Sequence, residues 1–194
     1  VPPSPPTVAV LVPVKAFHEA KLRLAPALDA SERAELARTM ASTVVLAAAP
    51  LPVFVVCDDD TVAGWAREVG AEVLWKPGRG LNGAVNEGVA ELAGLGVARA
   101  VVAHADLPHA TALAWVADGD GVTLVPDRRD DGTNVVALPT RSGFAFSYGP
   151  GSFARHRAEA DRLGLAVRVV RDRPLGWDVD VPDDLAVPDW SAPT

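Results

Sequence analysis

A chain of 194 residues, 49% of them hydrophobic and 22% charged, is long enough to bury about 70% of its unfolded surface around a single core. Its formal charge of -7 excludes the basic stripe of a nucleic-acid binder, so any positively charged site has to be local. The lone cysteine, Cys57, rules out an internal disulfide, the four histidines lack paired zinc-ligand spacing, and no apolar run reaches the roughly 20 residues of a membrane span.

A cytoplasmic protein bound to neither membrane nor nucleic acid is expected, as a single domain over residues 1–194. The proline-rich start (1–7) and the aperiodic end (187–194) read as tails. Val8 to Pro13 is a short continuous apolar run, the signature of a central parallel strand covered on both faces. Lys15 follows, and Lys21 and Arg23 complete the tightest cationic cluster in the chain, which either gathers on one anion or is simply solvated.

Asp29 with Glu32 forms a capping-box pattern, and apolar residues recur at helical spacing from there to Ala49. Val53 to Cys57 reads as a second strand. The run Asp58, Asp59, Asp60 before the next helix resembles metal ligands, but capping and complementation of the helix dipole explain it more economically. Glu72 to Lys76 is a third strand, followed by a glycine-rich turn. In it Gly78, Gly80 and Gly83 would let backbone approach a ligand, while Asn82 and Asn86 offer amides that can read a purine edge.

Arg99 to Ala103 is a fourth strand, ending in Asp106 where open α/β sheets bind ligands, and Pro108 predicts a helix start. Val122 to Pro126 and Thr133 to Leu138 are further strands around an acidic turn. Gly149-Pro-Gly151 is a tight turn whose N–H groups can converge on a phosphate or carboxylate, with Thr133 and Ser152 adding hydroxyls. Ser152 is equally a preferred N-cap of the helix that runs to Leu163. After a strand at Ala166 to Arg171, Asp178 and Asp180 point to one side of an extended segment, a better metal pair than the Asp58 run. Alternating strands and helices predict a three-layer, doubly wound α/β domain with a predominantly parallel sheet.

Six motifs in this order resemble one family. They are V-P-V-K with A-K-x-R-L (Val12 to Leu24), G-L-N-x-A (Gly80 to Ala84), A-D-L-P (Ala105 to Pro108), P-D-R-x-x-D-G-T-N (Pro126 to Asn134), Y-G-x-G-S-F-x-x-H-x-x-E-A (Tyr148 to Ala160) and D-V-D-x-P-x-D-L (Asp178 to Leu185). They are similar to those of the phospholactate/phosphoenolpyruvate guanylyltransferases (CofC/FbiD) of the deazaflavin coenzyme F(420) pathway. The resemblance implies a fold like the molybdenum-cofactor nucleotidyltransferases, and transfer of GMP from GTP to the phosphate of a three-carbon acid with release of pyrophosphate.

It further implies that Pro13, Lys15, Gly80 and Asn82 hold the nucleotide and that Lys15, Lys21 and Arg23 act on its phosphates. Thr133, Gly149 and Ser152 would bind the acceptor; Asp106, Asp178 and Asp180 would hold Mg²⁺; and the product would pass to the downstream deazaflavin-coenzyme transferase. Elementary chemistry agrees, because joining two phosphates needs cations and preorganised donors but no protein nucleophile. A metal-dependent nucleotide-sugar transferase, a non-catalytic GTP-binding module and a structural domain remain as alternatives. Acceptor identity and oligomeric state stay open.

Overall fold

The computed structural model describes residues 7–186, so the expected tails (Thr7 apart) and Trp190 lie outside the described residues. Its strands are β1 (Val8–Pro13), β2 (Val53–Cys57), β3 (Glu72–Trp75), β4 (Arg99–Ala103), β5 (Val122–Pro126), β6 (Thr133–Pro139) and β7 (Val167–Val169). Its helices are α1 (Ala30–Ala47), α2 (Asp60–Glu68), α3 (Gly80–Gly94) and α4 (Ser152–Arg162). The strands form one sheet in the order β3-β2-β1-β4-β6-β5-β7. β6 runs antiparallel to both neighbours, and every other pairing is parallel.

Side-chain alternation along β1 builds the three layers. Val10 and Val12 pack with Ala41 and Val44 of α1 and Val62 of α2, while Ala9 and Leu11 pack with Val85, Val89 and Leu92 of α3. All four β1 residues are fully buried, each stabilising the fold by about 1.5–3 kcal/mol for the larger side chains. The capping box forms as the sequence predicts: the Asp29 carboxylate accepts from the Glu32 N–H at 2.9 Å, and the Asp29 N–H donates to Glu32 at 2.7 Å. Asp59 caps α2 by accepting from the Val62 N–H at 3.0 Å, so the aspartate run serves the helix.

Two local expectations change. Pro108 starts no helix; residues 108–109 form a turn, and a single 3₁₀ turn follows at Ala114–Ala117. Ser152 is not the cap of α4 either: Gly151 holds that position in the left-handed region (φ 73°), and Ser152 is the first helical residue, 1% exposed. The parallel strands β1 and β4 end at the same edge of the sheet, with β2 and β3 on one side of the pair and β6 on the other. That reversal of strand order is where α/β sheets open a crevice.

Candidate active site

The crevice is a cavity of about 860 Å³. β1 and the residues just after it deliver Pro13 and Lys15 to it, the following segment brings Lys21 and Arg23, the start of α3 adds Gly80, and the segments after β4 and β7 add Asp106 and Asp180. These residues, scattered over 168 positions of sequence between 13 and 180, are thus assembled on one wall. α3 begins after Arg79, an N-cap without a side-chain bond, and Gly80, Leu81 and Ala84 line the cavity, so the positive end of the helix dipole lies at its wall.

Lys21 is the centre of that wall. Its backbone lies in the left-handed region (φ 56°), which a non-glycine residue adopts at a cost of about 1–3 kcal/mol when the surroundings demand it. The conformation turns its side chain inward, where Nζ donates to Asp106 Oδ2 at 2.6 Å and to Asp180 Oδ1 at 3.2 Å. Burial alone would lower the Lys21 pKa, but the Asp106 and then the Asp180 carboxylate outweigh it and hold the ammonium above its ordinary range. Burial likewise pushes against Asp106 ionising, and the Lys21 charge overcomes it, so the Asp106 carboxyl lies below its usual value. Lys15 and Arg23 are different: both are largely exposed, Lys15 paired with Glu19 at 3.0 Å and Arg23 standing 4.0 Å from Asp180.

The predicted three-carboxylate metal site is not assembled. Among the described residues no group of three or more His, Cys, Asp or Glu side chains is placed to hold a metal ion. Val179 drives into a pocket of Leu24 and Met40, and Asp178 on one side of it is taken by Asn134 Nδ2 at 3.4 Å and Arg128 Nη1 at 3.9 Å. Burial, then the nearby Asp106 charge, raises the Asp178 pKa. Asp184 shapes this loop: its buried carboxylate accepts from the N–H groups of Asp180 (2.8 Å) and Val181 (3.0 Å) and pairs with Arg128, whose guanidinium lies 4.2 Å from the Trp177 ring centre. Asp184 is the last acid of the D-V-D-x-P-x-D-L motif, four residues after Asp180 across a proline, and the motif alone gave it no role.

The turn Gly149–Gly151 has the positive φ values its glycines suggest, 117° and 73°. Its donors, however, are engaged from within. The Gly151 N–H donates to Asp131 Oδ1 at 3.1 Å, the Phe153 N–H to the Asp131 carbonyl at 3.0 Å, and the Arg155 guanidinium wraps the carbonyls of Ser147, Gly149 and Pro150. The acidic turn before β6 is equally self-contained, since Asp127 accepts from the N–H groups of Arg129, Asp131 and Gly132. Thr133, Gly149 and Ser152 lie together but outside the cavity wall.

Beneath them sits His156, fully buried, the histidine of the Y-G-x-G-S-F-x-x-H motif, to which the sequence alone assigned no role. The Ser147 N–H points at His156 Nε2 from 3.0 Å, so Nε2 is the acceptor and the proton resides on Nδ1, which donates to Thr133 Oγ1 at 3.0 Å. Burial, then the Arg155 and His104 charges, lowers the His156 pKa to about 4. The Ser152 hydroxyl donates to the same Thr133 oxygen at 3.4 Å, which leaves the Thr133 proton to point elsewhere.

Asn82 and Asn86, expected to read a base, are committed to backbone. Asn82 accepts from the Tyr148 N–H at 2.6 Å and donates to its carbonyl at 3.4 Å, and Asn86 does the same to Phe146 at 3.0 and 3.3 Å. Two amides one helical turn apart therefore imitate a neighbouring strand, pinning the segment before the glycine turn to α3. Asn82 does not line the cavity.

Comparison with known proteins accords with this geometry. Residues 8–187 match the family described as Guanylyl transferase CofC like. The phosphoenolpyruvate guanylyltransferase of Sphaerobacter thermophilus is 36% identical over 92% of this chain and 91% of its own length, and that of Rubrobacter xylanophilus 38% identical over 93% and 92%. In three dimensions, a nucleotide-diphospho-sugar transferase structure from Desulfovibrio desulfuricans G20 superposes with a TM-score of 0.69 at 17% identity, over 91% of this chain and 83% of that one, a likeness of fold alone. The sheet order, the cavity at the β1/β4 switch point and the match along nearly the whole sequence converge: this chain belongs to the CofC-like guanylyl transferase family and is a nucleotidyltransferase.

Proposed function

We propose that this protein transfers GMP from GTP to the phosphate of phosphoenolpyruvate and releases pyrophosphate. The observation that carries the reading is the Lys21 ammonium clasped by Asp106 and Asp180 on the wall of a nucleotide-sized cavity, flanked by the exposed cations Lys15 and Arg23. The triphosphate is taken by the segment after β1 and the uncapped start of α3, where Pro13, Lys15 and Gly80 line the cavity. Lys15 exchanges its solvent-screened Glu19 partner for phosphate oxygens at little cost.

The acceptor lies between Asp106 and the Thr133 and Gly149–Ser152 segments, with the Thr133 hydroxyl held in one orientation by His156. A phosphate oxygen of the acid attacks the α-phosphorus of GTP. The new P–O bond forms as the bond to the bridging oxygen breaks, and pyrophosphate leaves with that electron pair. Lys21 and Arg23 neutralise the charge that gathers on the phosphoryl oxygens, and no side chain has to act as a nucleophile.

Mg²⁺ fits these residues. Asp106 and Asp180 converge on one cation position, Asp106 Oδ1 has no protein partner, and Mg²⁺ is commonly held by one or two carboxylates with phosphate oxygens and waters completing its shell. When bound, it supplies further neutralisation of the phosphoryl oxygens. The product, a reactive phosphate diester-anhydride, suits immediate use by the downstream transferase of the coenzyme F(420) pathway. The test is pyrophosphate release from GTP and Mg²⁺ with phosphoenolpyruvate, 2-phospho-L-lactate or 3-phosphoglycerate, each with that transferase present. Phosphoenolpyruvate is expected to give the highest kcat/KM. Failure to release pyrophosphate with any acid overturns the reading.

A further inference from the structure

The chain has three lysines, Lys15, Lys21 and Lys76, and all three line the cavity. They are held differently. The Lys15 side chain is 64% exposed and pairs with one exposed acid, Glu19; Lys76 is 21% exposed and lies 2.6 Å from Glu91. Lys21 is 12% exposed and spans two carboxylates at once, Asp106 Oδ2 at 2.6 Å and Asp180 Oδ1 at 3.2 Å. Two carboxylates that face one another repel unless a cation joins them, and here the joining cation is a side chain of the protein itself.

The ammonium serves this pair incompletely. An ionised carboxylate has about four lone-pair sites, yet Asp106 Oδ1 is buried with no partner. The other Asp180 oxygen has Arg23 only at 4.0 Å, on a side chain that is 75% exposed. Lys21 also reaches the pair from neither strand nor helix: it is a left-handed residue (φ 56°) between two 3₁₀ turns, Phe17–Glu19 and Leu22–Leu24. A Mg²⁺ held about 2.1 Å from the same Asp106 oxygen would need the space that the ammonium fills, and the Lys21 charge would oppose a metal at the neighbouring Oδ1 as well. Ammonium and divalent cation therefore compete for one pair of carboxylates.

We infer that Lys21 is an internal stand-in for the divalent cation: in the free protein it closes the Asp106 and Asp180 pair to metal, and it gives the pair up when the phosphates of a nucleotide offer the ammonium another anion. This rests on the proposed placement of triphosphate and Mg²⁺ in the cavity. Lys21 then exchanges partners rather than losing them, moving from carboxylates to phosphate oxygens on the wall it shares with Lys15 and Arg23. A ligand shifts such an exchange only by what it offers one arrangement and not the other, and the triphosphate offers its oxygens to the released ammonium alone. Metal and nucleotide are thereby coupled, and the carboxylates are never left facing each other bare.

The test uses Mn²⁺ as a paramagnetic probe without nucleotide, its binding followed by loss of the free-ion EPR signal. Lys21→Met should bind one Mn²⁺ about tenfold or more tightly than the wild type, and adding Asp106→Asn should abolish that gain. Lys21→Gln, which keeps a donor between the carboxylates but no charge, should gain as well, so the comparison does not depend on Lys21→Met being stable. Equal affinities in the wild type and both variants, a gain that survives Asp106→Asn, or no binding by any of them overturns the inference.

The wild type supplies a second readout. Reductive methylation with formaldehyde and cyanoborohydride, resolved by peptide mass spectrometry, should label Lys21 about tenfold more slowly than the exposed Lys15. At constant ionic strength, Mn²⁺ should speed labelling of Lys21 over the same concentration range that removes the free-ion signal, with Lys15 unchanged. A Lys21 rate that stays flat while the site fills overturns the exchange. Neither readout involves turnover: if pyrophosphate release fails while Lys21→Met gains Mn²⁺, the reaction reading falls and the exchange of cations at this pair stands.

Discussion

The wall of cations and carboxylates after β1 and the glycine turn before α4 are both polar, but they are finished to different degrees. Around the turn nearly every donor has a protein acceptor: Asn82 and Asn86 on the backbone of 146–148, Asp131 on Gly151, and His156 on Thr133. On the wall, Lys21 carries two carboxylates at once, Lys15 and Arg23 reach into solvent, and Asp106, His104 and nearby Tyr148 each keep an unpartnered atom. A satisfied network fixes geometry, whereas an unsatisfied one is completed by what binds. The turn is therefore the rigid frame, and the wall is where ligand charge enters.

The sharpest way to break that contrast is to remove Lys21. Lys21→Met leaves Asp106 and Asp180 facing each other without their shared cation, and Asp106, only 20% exposed, without that partner. We expect a loss of about 3–5 kcal/mol in stability together with at least a hundredfold fall in kcat/KM. Denaturant unfolding and pyrophosphate release measure the two. Added Mg²⁺ should restore part of the stability by taking the vacated position between the carboxylates, but not the turnover. A Lys21→Met protein as stable as the wild type without metal would mean that the clasp holds nothing together.

The frame has its own weak point in acid. The His156 pKa is about 4 in the folded chain, below its ordinary 6.5. Above pH 6.5 both states are neutral there and nothing is gained or lost. Between pH 6.5 and 4 the unfolded chain binds a proton that the folded one refuses, so stability falls as pH falls through that window, by about 3 kcal/mol in all. Unfolding free energies measured across the window should show a steeper slope in the wild type than in His156→Gln. Equal slopes would remove His156 as the titrating group.

How much of this was written in the sequence follows from the kind of partner each residue has. Short apolar runs located β1, β2 and β4 because burial on both faces leaves no other composition. Periodicity has no direction, so β6 read only as a strand. Its antiparallel course was legible elsewhere: the six residues 127–132 cannot make the crossover that a parallel neighbour needs. Lys21 meets Asp106 and Asp180 across 85 and 159 positions, beyond any spacing rule, and the family resemblance alone grouped them. The Asn82 and Asn86 amides bind backbone, which has no letter of its own, so sequence alone could show them as ligand donors but not as the partners of Tyr148 and Phe146.

Those amides supply the next measurement. Asn82→Ala removes an acceptor 2.6 Å from the Tyr148 N–H, and the loss should be about 1–3 kcal/mol of stability, with Asn86→Ala similar. Since the two pin positions 146 and 148 of one segment, the double variant should lose less than the sum, because releasing one anchor already frees the chain. If Asn82→Ala instead leaves stability intact and raises only the GTP KM, the amide belongs to the nucleotide and the frame is not what holds Tyr148.

The smallest expected effect lies at the rim of the wall. Lys15 is 64% exposed and its bond to Glu19, itself 52% exposed, is screened by water, although the Lys15 hydrogen bond and charge lower the Glu19 pKa. Lys15→Ala should therefore leave the unfolding free energy within about 0.5 kcal/mol of wild type. If Lys15 turns from Glu19 to the triphosphate on binding, the same change should raise the GTP KM about fivefold, roughly 1 kcal/mol, and flatten its dependence on salt. Glu19→Gln frees the ammonium in advance and should lower the GTP KM slightly, an effect that must vanish in the Lys15→Ala background. Were Glu19→Gln to act equally with and without Lys15, the ion pair would be plain surface charge, and the cations that meet GTP would reduce to Lys21 and Arg23.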